Sequence, residues 1–381
     1  MLYLWLTWLV APVLRLMAGR APTVPRRILV IQMAKIGDLL CSTPVFREIR
    51  RRYPQVHMTV MATAQNAPLL RANPQVDEVI EADSSTFRGL RGKVRLVRLW
   101  RQGRYDTVVC LNAGAAYAVA ALWALIPHRL AVQSNFGGAS HRLAARLWSA
   151  VEPHRGERLI QETYLALLAR MGVDAECVDK EVFPVAGAQE RVDAVLRAAT
   201  GVSAGPLIGI GVSSANRLKA LGTQKIVALA QELLAAVPEA RLVLVGSRED
   251  AAQAAAIVAA LPRGALIDAC GAVSLTELPA LLKHLAIYIG VDSGVTYMAD
   301  TVGTPLVSVA GPCNMRETRP LGRDVVILQR ALPCAPCAHI FHAPYTCRVG
   351  THACVEDISA VEIAAAALTL LHRRSAEGSL R

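Results

Sequence analysis

Short apolar runs that end at small or polar loops and lead into helix-length segments recur along this chain. That pattern constrains its fold more than any other feature. Residues 28–32 (ILVIQ) read as a buried strand, followed by the loop Met33-Ala34-Lys35-Ile36-Gly37-Asp38 and a helix to about Arg52, with Pro54 after it. Residues 56–62, 76–82 and 107–111 read as three more strands, the last leading into Asn112-Ala113-Gly114. The second half restarts near Pro206 with strands at 207–212, 240–246, 265–271, 286–291 and 305–311, and with helices at about 223–236 and 294–302. Strands alternating with helices call for parallel sheets covered by helices. The expected fold class is therefore α/β, with two Rossmann-like domains facing a cleft and ligands outside the carboxyl ends of the strands.

A length of 381 residues suits two domains of ordinary size. The chain divides on paper into an apolar N-terminal segment (1–24), a first Rossmann-like domain (25–190) and a second (200–355), which carries a cysteine-rich loop at 334–354. A C-terminal helix and tail follow (356–381). Phe183-Pro184-Val185-Ala186-Gly187 marks an exit from the first domain, and 200–206 is rich in Gly, Ser and Pro. A helix at about 189–199 fits either side of the boundary. The last helix, about 359–372, is expected to cross back onto the first domain.

The net charge of +11 fits an anionic membrane surface or an anionic substrate. Nucleic acid is set aside as a partner: there is no RNP-type aromatic motif, no tandem zinc-finger spacing and no basic helix with heptads. Nine cysteines, an odd count with five of them scattered, argue for a reducing compartment. Residues 1–14 (MLYLWLTWLVAPVL) are uncharged, too short for an ordinary transmembrane helix, and lack the basic start and cleavage site of a signal peptide. Tyr3, Trp5 and Trp8 favour a lipid–water interface, so this segment is either a membrane-surface anchor or an extra helix packed on the body. The stretch 88–104 (RGLRGKVRLVRLWRQGR) holds six Arg and one Lys. It reads as a solvated helix face or as a contact for phosphates at a membrane.

Gly290-Val291-Asp292-Ser293-Gly294 carries the strongest local signal. A strand ends, a small polar turn follows and a helix begins, offering unpaired N–H groups and a positive dipole end. On this chemistry alone a helix cap and a phosphate site fit equally well. Lys219 follows the polar loop after strand 207–212, either as a solvated loop lysine or as a cation for a diphosphate leaving group. Glu249 follows the end of strand 240–246, where a carboxylate can bond ribose hydroxyls. Asp38, at the start of the first helix, is a dipole partner or a general base. Cys334, Cys337, Cys347 and Cys354 form a C-x2-C-x9-C-x6-C pattern, which four free thiols, a disulfide pair, a structural zinc or an iron–sulfur cluster would each explain.

Several of these residues recur together in a known order. Ile28-Leu29-Val30-Ile31, Ile36-Gly37-Asp38-Leu39-Leu40 and Thr43-Pro44-Val45 resemble the opening of glycosyltransferase family 9, the bacterial lipopolysaccharide heptosyltransferases. Gly211-Val212-Ser213-Ser214 with Lys219, then Gly290 to Gly294, Gly303-Thr304-Pro305 and Gly311-Pro312, resemble its later blocks. The resemblance covers about 28–360 and implies a GT-B arrangement. It also implies inverting transfer of heptose from ADP-heptose to the lipopolysaccharide core. It further implies that Asp38 is the base, that Lys219, Asp292, Ser293 and Gly294 hold the donor phosphates, and that Glu249 lies at the ribose. No cofactor is required for that chemistry. The implied partners are a nucleotide sugar, an anionic glycolipid acceptor and the cytoplasmic face of the inner membrane. The chain departs from the family pattern at Tyr297, where His is common, at Cys313-Asn314, where Thr-Asp is usual, and at Ala220-Leu221, where Trp-Pro often follows the lysine. A sugar-nucleotide epimerase of similar fold and a non-catalytic membrane-surface binding protein are the alternative readings.

Overall fold

The computed structural model describes residues 2–83, 85–112, 114–200 and 205–378. Ala113 and part of the 200–206 linker fall outside the described residues. The chain divides into two compact units, Met1–Lys180 and Glu181–Arg381.

The first unit opens with α1 (Leu2–Ala18). It then alternates β1 (Arg27–Gln32), α2 (Ile36–Arg52), β2 (His57–Ala62), α3 (Ala67–Arg71), β3 (Glu78–Glu81), α4 (Gly89–Gln102) and β4 (Thr107–Cys110). It closes with α5 (Ala115–Trp123), β5 (His128–Gln133), α6 (Ala139–Ala145), β6 (Ala150–Pro153) and α7 (Ile160–Ala169). The strands form one parallel sheet in the order β3-β2-β1-β4-β5-β6. Central strands β1 and β4 are covered on both faces, and so they read as unbroken apolar runs. Sheet order reverses between β1 and β4. Ile31 pairs with Met61 on one side and Cys110 on the other, so three strand ends stand level there.

The second unit holds α8 (Ala188–Thr200), β7 (Leu207–Gly211), α9 (Thr223–Ala236), β8 (Arg241–Val245), α10 (Ala251–Ala259) and β9 (Leu266–Asp268). It continues through α11 (Leu278–His284), β10 (Ile287–Val291), α12 (Gly294–Thr301), β11 (Leu306–Val309), β12 (Val325–Leu328), α13 (Ala353–Glu356) and α14 (Ala360–Gly378). The sheet order is β12-β11-β10-β7-β8-β9, again all parallel, with its reversal between β7 and β10. The final helix packs on the second unit's own core. Ile363, Ala364, Ala367 and Leu370 of α14 are buried in the same core as Ile226, Leu229 and Leu233 of α9, so its apolar stripe is satisfied within the second unit. Helix α8 also belongs there and packs against α11.

Candidate functional site

In the first unit, polar side chains gather where the sheet order reverses. Gln32, the last residue of β1, is fully buried, and its amide oxygen accepts from Asn112 Nδ2 at 2.9 Å. Asn112 lies two residues past the end of β4 and accepts from the backbone N–H of Met33. Asn66, just after β2, donates to the carbonyl of Ala34 at 2.8 Å. Three amides thus pin the loop 33–35, in keeping with the rule that most buried polar groups take a partner. That loop sets the start of α2. Asp38 lies in the first turn of α2, half-buried, with its carboxylate accepting the N–H of Lys35 at 3.1 Å. The capping role expected of an acid here is therefore present. Beneath it, burial and then the charges of Asp38 and Cys41 push the Tyr164 hydroxyl well above its ordinary pKa.

The second unit places charge at the equivalent position. Asp292 directly follows β10 and is buried; one carboxylate oxygen meets Lys219 Nζ at 2.5 Å and the other accepts from the Tyr297 hydroxyl at 2.5 Å. Burial alone would raise the Asp292 pKa, but Lys219 and the Tyr297 and Cys313 hydrogen bonds hold it below its ordinary value. Burial alone would lower the Lys219 pKa, and Asp292 more than reverses this, so the ammonium stays charged. The Cys313 thiol touches both; burial and the Asp292 charge push it far up, so it is a neutral S–H donor.

The turn around this pair is built from local chemistry. The Ser293 hydroxyl accepts from Thr296 N–H at 3.4 Å, so Ser293 caps α12, and Gly294 is the first residue of that helix. Tyr288 lies buried under the turn, with its hydroxyl bonded to Thr296 and Ser293. A side chain at Gly290 would put its Cβ 2.8 Å from the Tyr288 hydroxyl, so β10 needs glycine there. Lys219 sits in a short 3-10 turn, Arg217–Lys219, capped by Asn216, whose oxygen accepts from Leu218 N–H at 3.1 Å. The cysteine-rich segment braces that turn. Asn216 donates to the carbonyl of Pro344 at 2.9 Å, and His352 Nε2 lies 2.5 Å from the Leu218 carbonyl. Glu249 is exposed in the turn after β8, beside Asp250, whose carboxylate accepts from Ser247 N–H at 2.6 Å.

Cys334, Cys337, Cys347 and Cys354 are free thiols. Among the described residues, no group of three or more His, Cys, Asp or Glu side chains is placed to hold a metal ion. Cys354 is buried and Cys334 exposed, yet the thiols lie near one another: burial and then Cys334 and Cys347 raise the Cys337 pKa, and burial and then Cys337, Cys347 and Cys334 raise that of Cys354. Backbone N–H groups of His352 and Val349 lower the Cys347 pKa.

Sequence reasoning missed Gln32, Asn66, Asn112 and Tyr288. The first three carried a usable signal: an amide at the last position of an apolar strand, or in the loop just after one, is where buried backbone groups need partners. Tyr288 carried none, since an aromatic in a strand is ordinary core. Asp38 and the Lys219–Asp292 pair fall in different units, each at its own sheet's reversal point.

The model of glycosyltransferase family 9 (heptosyltransferase) matches residues 93–344. The lipopolysaccharide heptosyltransferase 3 of Escherichia coli is 24% identical over 294 residues, covering 76% of this chain and 85% of that protein. The lipopolysaccharide heptosyltransferase 2 of Salmonella typhimurium is 26% identical over 312 residues, covering 80% of this chain and 88% of that protein. Among solved structures, the E. coli ADP-heptose lipopolysaccharide heptosyltransferase II has the same fold, with a TM-score of 0.71 and 23% identity. It covers 92% of this chain and 99% of that one. A family match over more than half of the chain, on two parallel six-stranded sheets with polar clusters at both reversal points, makes this protein a glycosyltransferase belonging to family 9, the heptosyltransferase family.

Proposed function

We propose that the chain transfers heptose, with inversion, from ADP-heptose to a lipid-linked lipopolysaccharide-core acceptor at the cytoplasmic face of a membrane. The observation that carries this reading is the buried Lys219–Asp292 pair beside the N-terminus of α12. A lysine kept charged at a strand end, next to unpaired helix N–H groups, suits a diphosphate. The names of the relatives supply the donor and acceptor class.

Asp292 takes an indirect part in this scheme. A carboxylate repels phosphate, and both of its oxygens already serve Lys219 and Tyr297. It fixes the ammonium, whose remaining protons face the donor phosphates. Ser293, Gly294 and the first turn of α12 contribute N–H groups to the same phosphates, and Glu249 contacts the ribose. Asp38 takes the proton of the acceptor hydroxyl. The acceptor oxygen bonds to the anomeric carbon, the bond from that carbon to the phosphate oxygen breaks, and ADP leaves with the electron pair. Lys219 and the helix N-terminus meet the new charge.

Replacing Asp38 with Asn should cut turnover by ~10²–10⁴-fold, the usual share of a general base. Stabilisation of the protein by ADP in a thermal-shift assay should stay near the wild-type value. Wild-type turnover in that variant would remove Asp38 as the base. Stronger stabilisation by UDP or GDP than by ADP would overturn the donor assignment.

A further inference from the structure

Helix α1 carries more apolar surface than its packing uses. Leu4, Thr7, Ala11 and Leu14 form the buried stripe, at spacings that place them on one face. The polar member is satisfied: the Thr7 hydroxyl donates to the Tyr3 carbonyl at 2.7 Å and accepts from Trp123 Nε1 at 3.0 Å. Apart from Arg15 in its last turn, the remaining circumference is exposed and still apolar. Leu9 is 76% exposed, Leu16 83% and Trp5 56%, with Leu6, Trp8 and Val13 also outward. An ordinary surface helix would place charged residues there.

Helix α4 stands beside this face. Both helices pack on α5 and share one core, to which α4 gives Leu96 and Trp100. Lys93 of α4 lies 4.7 Å from the ring centroid of Tyr3 in α1. The outward side of α4 presents Arg91, Arg95 and Arg98 with the exposed apolar Leu90 and Val94. Neither helix contains an acidic residue. No described helix is long and apolar enough to cross a membrane.

We propose that α1 and α4 together form a docking surface for an anionic bilayer leaflet: the outward face of α1 enters the acyl boundary and the α4 arginines bond lipid phosphates. An apolar face that ends at Arg15, next to unneutralised cations, matches the two layers of such a leaflet, apolar below and anionic above. A second copy of the chain is the poorer occupant, since a symmetric contact would bring the two arginine sets together. The inference rests on the lipid-linked acceptor only for its purpose, and its test needs neither donor nor turnover.

The test is flotation of the full chain with phosphatidylcholine vesicles, with and without phosphatidylglycerol, read at low and high salt. The wild type should float with the anionic vesicles, less so at high salt. The variant Leu6→Ser/Leu9→Ser/Leu16→Ser should lose binding to both vesicle types. The variant Arg91→Ser/Arg95→Ser/Arg98→Ser should bind anionic vesicles ~100-fold more weakly, about fivefold for each charge near the surface. Far-ultraviolet dichroism and melting would confirm that both variants fold. Since all six positions are exposed, a failed fold would be answered by the single variants Leu9→Ser and Arg95→Ser. Absence of wild-type binding to anionic vesicles would overturn the proposal. So would wild-type binding by the leucine variant, or a wild-type oligomer that the leucine variant converts to monomer without any vesicle binding.

Discussion

The two sheets reverse their strand order in the same way, yet they furnish the reversal point with opposite chemistry. In the first unit, neutral amides do the holding: Gln32, Asn66 and Asn112 fix the loop before α2, and one half-buried carboxylate, Asp38, stands at the helix start. In the second unit the holding groups are charged, with Lys219 and Asp292 paired in a buried site and Tyr297 and Cys313 around them. Neutral holding keeps a carboxylate's charge available for a proton. Charged holding keeps an ammonium protonated in a place where burial would otherwise strip it. The first suits proton transfer and the second suits anion binding.

Removing one partner of each arrangement should separate them most widely. Lys219→Ala leaves Asp292 buried and unpaired, a loss of ~3–5 kcal/mol by the usual measure of broken buried pairs. Asp38→Asn loses part of a helix-start interaction, worth ~0.3–1 kcal/mol. Chemical denaturation of the two variants should therefore show a large fall in midpoint for Lys219→Ala and a small one for Asp38→Asn. Equal losses would mean that the two reversal points are held alike. The double variant Lys219→Met/Asp292→Leu should recover most of the stability without recovering ADP binding.

This contrast was only partly visible in the sequence. The alternation of strands and helices was legible because β1, β4, β7 and β10 are buried on both faces and read as apolar runs. Strand β5 escaped notice because it begins with His128 and Arg129; the arginine is buried, and its guanidinium donates to the carbonyls of Leu147 and Ile126. Strand β6 carries Glu152 and Pro153 at a sheet edge, where no apolar run is required. At the site, position marked Asp38, Ser293 and Asp292, since strand ends and helix starts can be read locally. The pairing of Lys219 with Asp292 could not be read, because the two lie 73 positions apart and meet only once β7 and β10 are neighbours.

Tyr297 sharpens the comparison at a smaller scale. At this position, where the sequence resemblance implies His, the phenol bonds Asp292 directly. Tyr297→Phe should cost ~1.5–3 kcal/mol, the worth of a hydrogen bond to a charged group, and should raise KM for the nucleotide sugar more than it lowers kcat. Tyr297→His, which restores a donor, should regain most of the loss. A phenylalanine variant with wild-type stability and KM would mean that Lys219 alone fixes the carboxylate.

The mildest test uses pH, and its expected result in the neutral range is no change. Asp292 titrates below its ordinary 3.8, so the stability it adds is present above that value and disappears as pH falls through its folded pKa. Lys219 titrates above its ordinary 10.5, so its contribution is present below that value and is lost as pH rises through its folded pKa. The stability difference between wild type and Lys219→Met/Asp292→Leu should thus be level from about pH 4 to about pH 10 and should fall at both ends, since the buried Cys313 thiol is common to both proteins. A slope through the middle of that range would show that one member of the pair changes charge near neutrality. The second unit would then resemble the first, with a group poised for proton transfer where the geometry calls for a fixed cation.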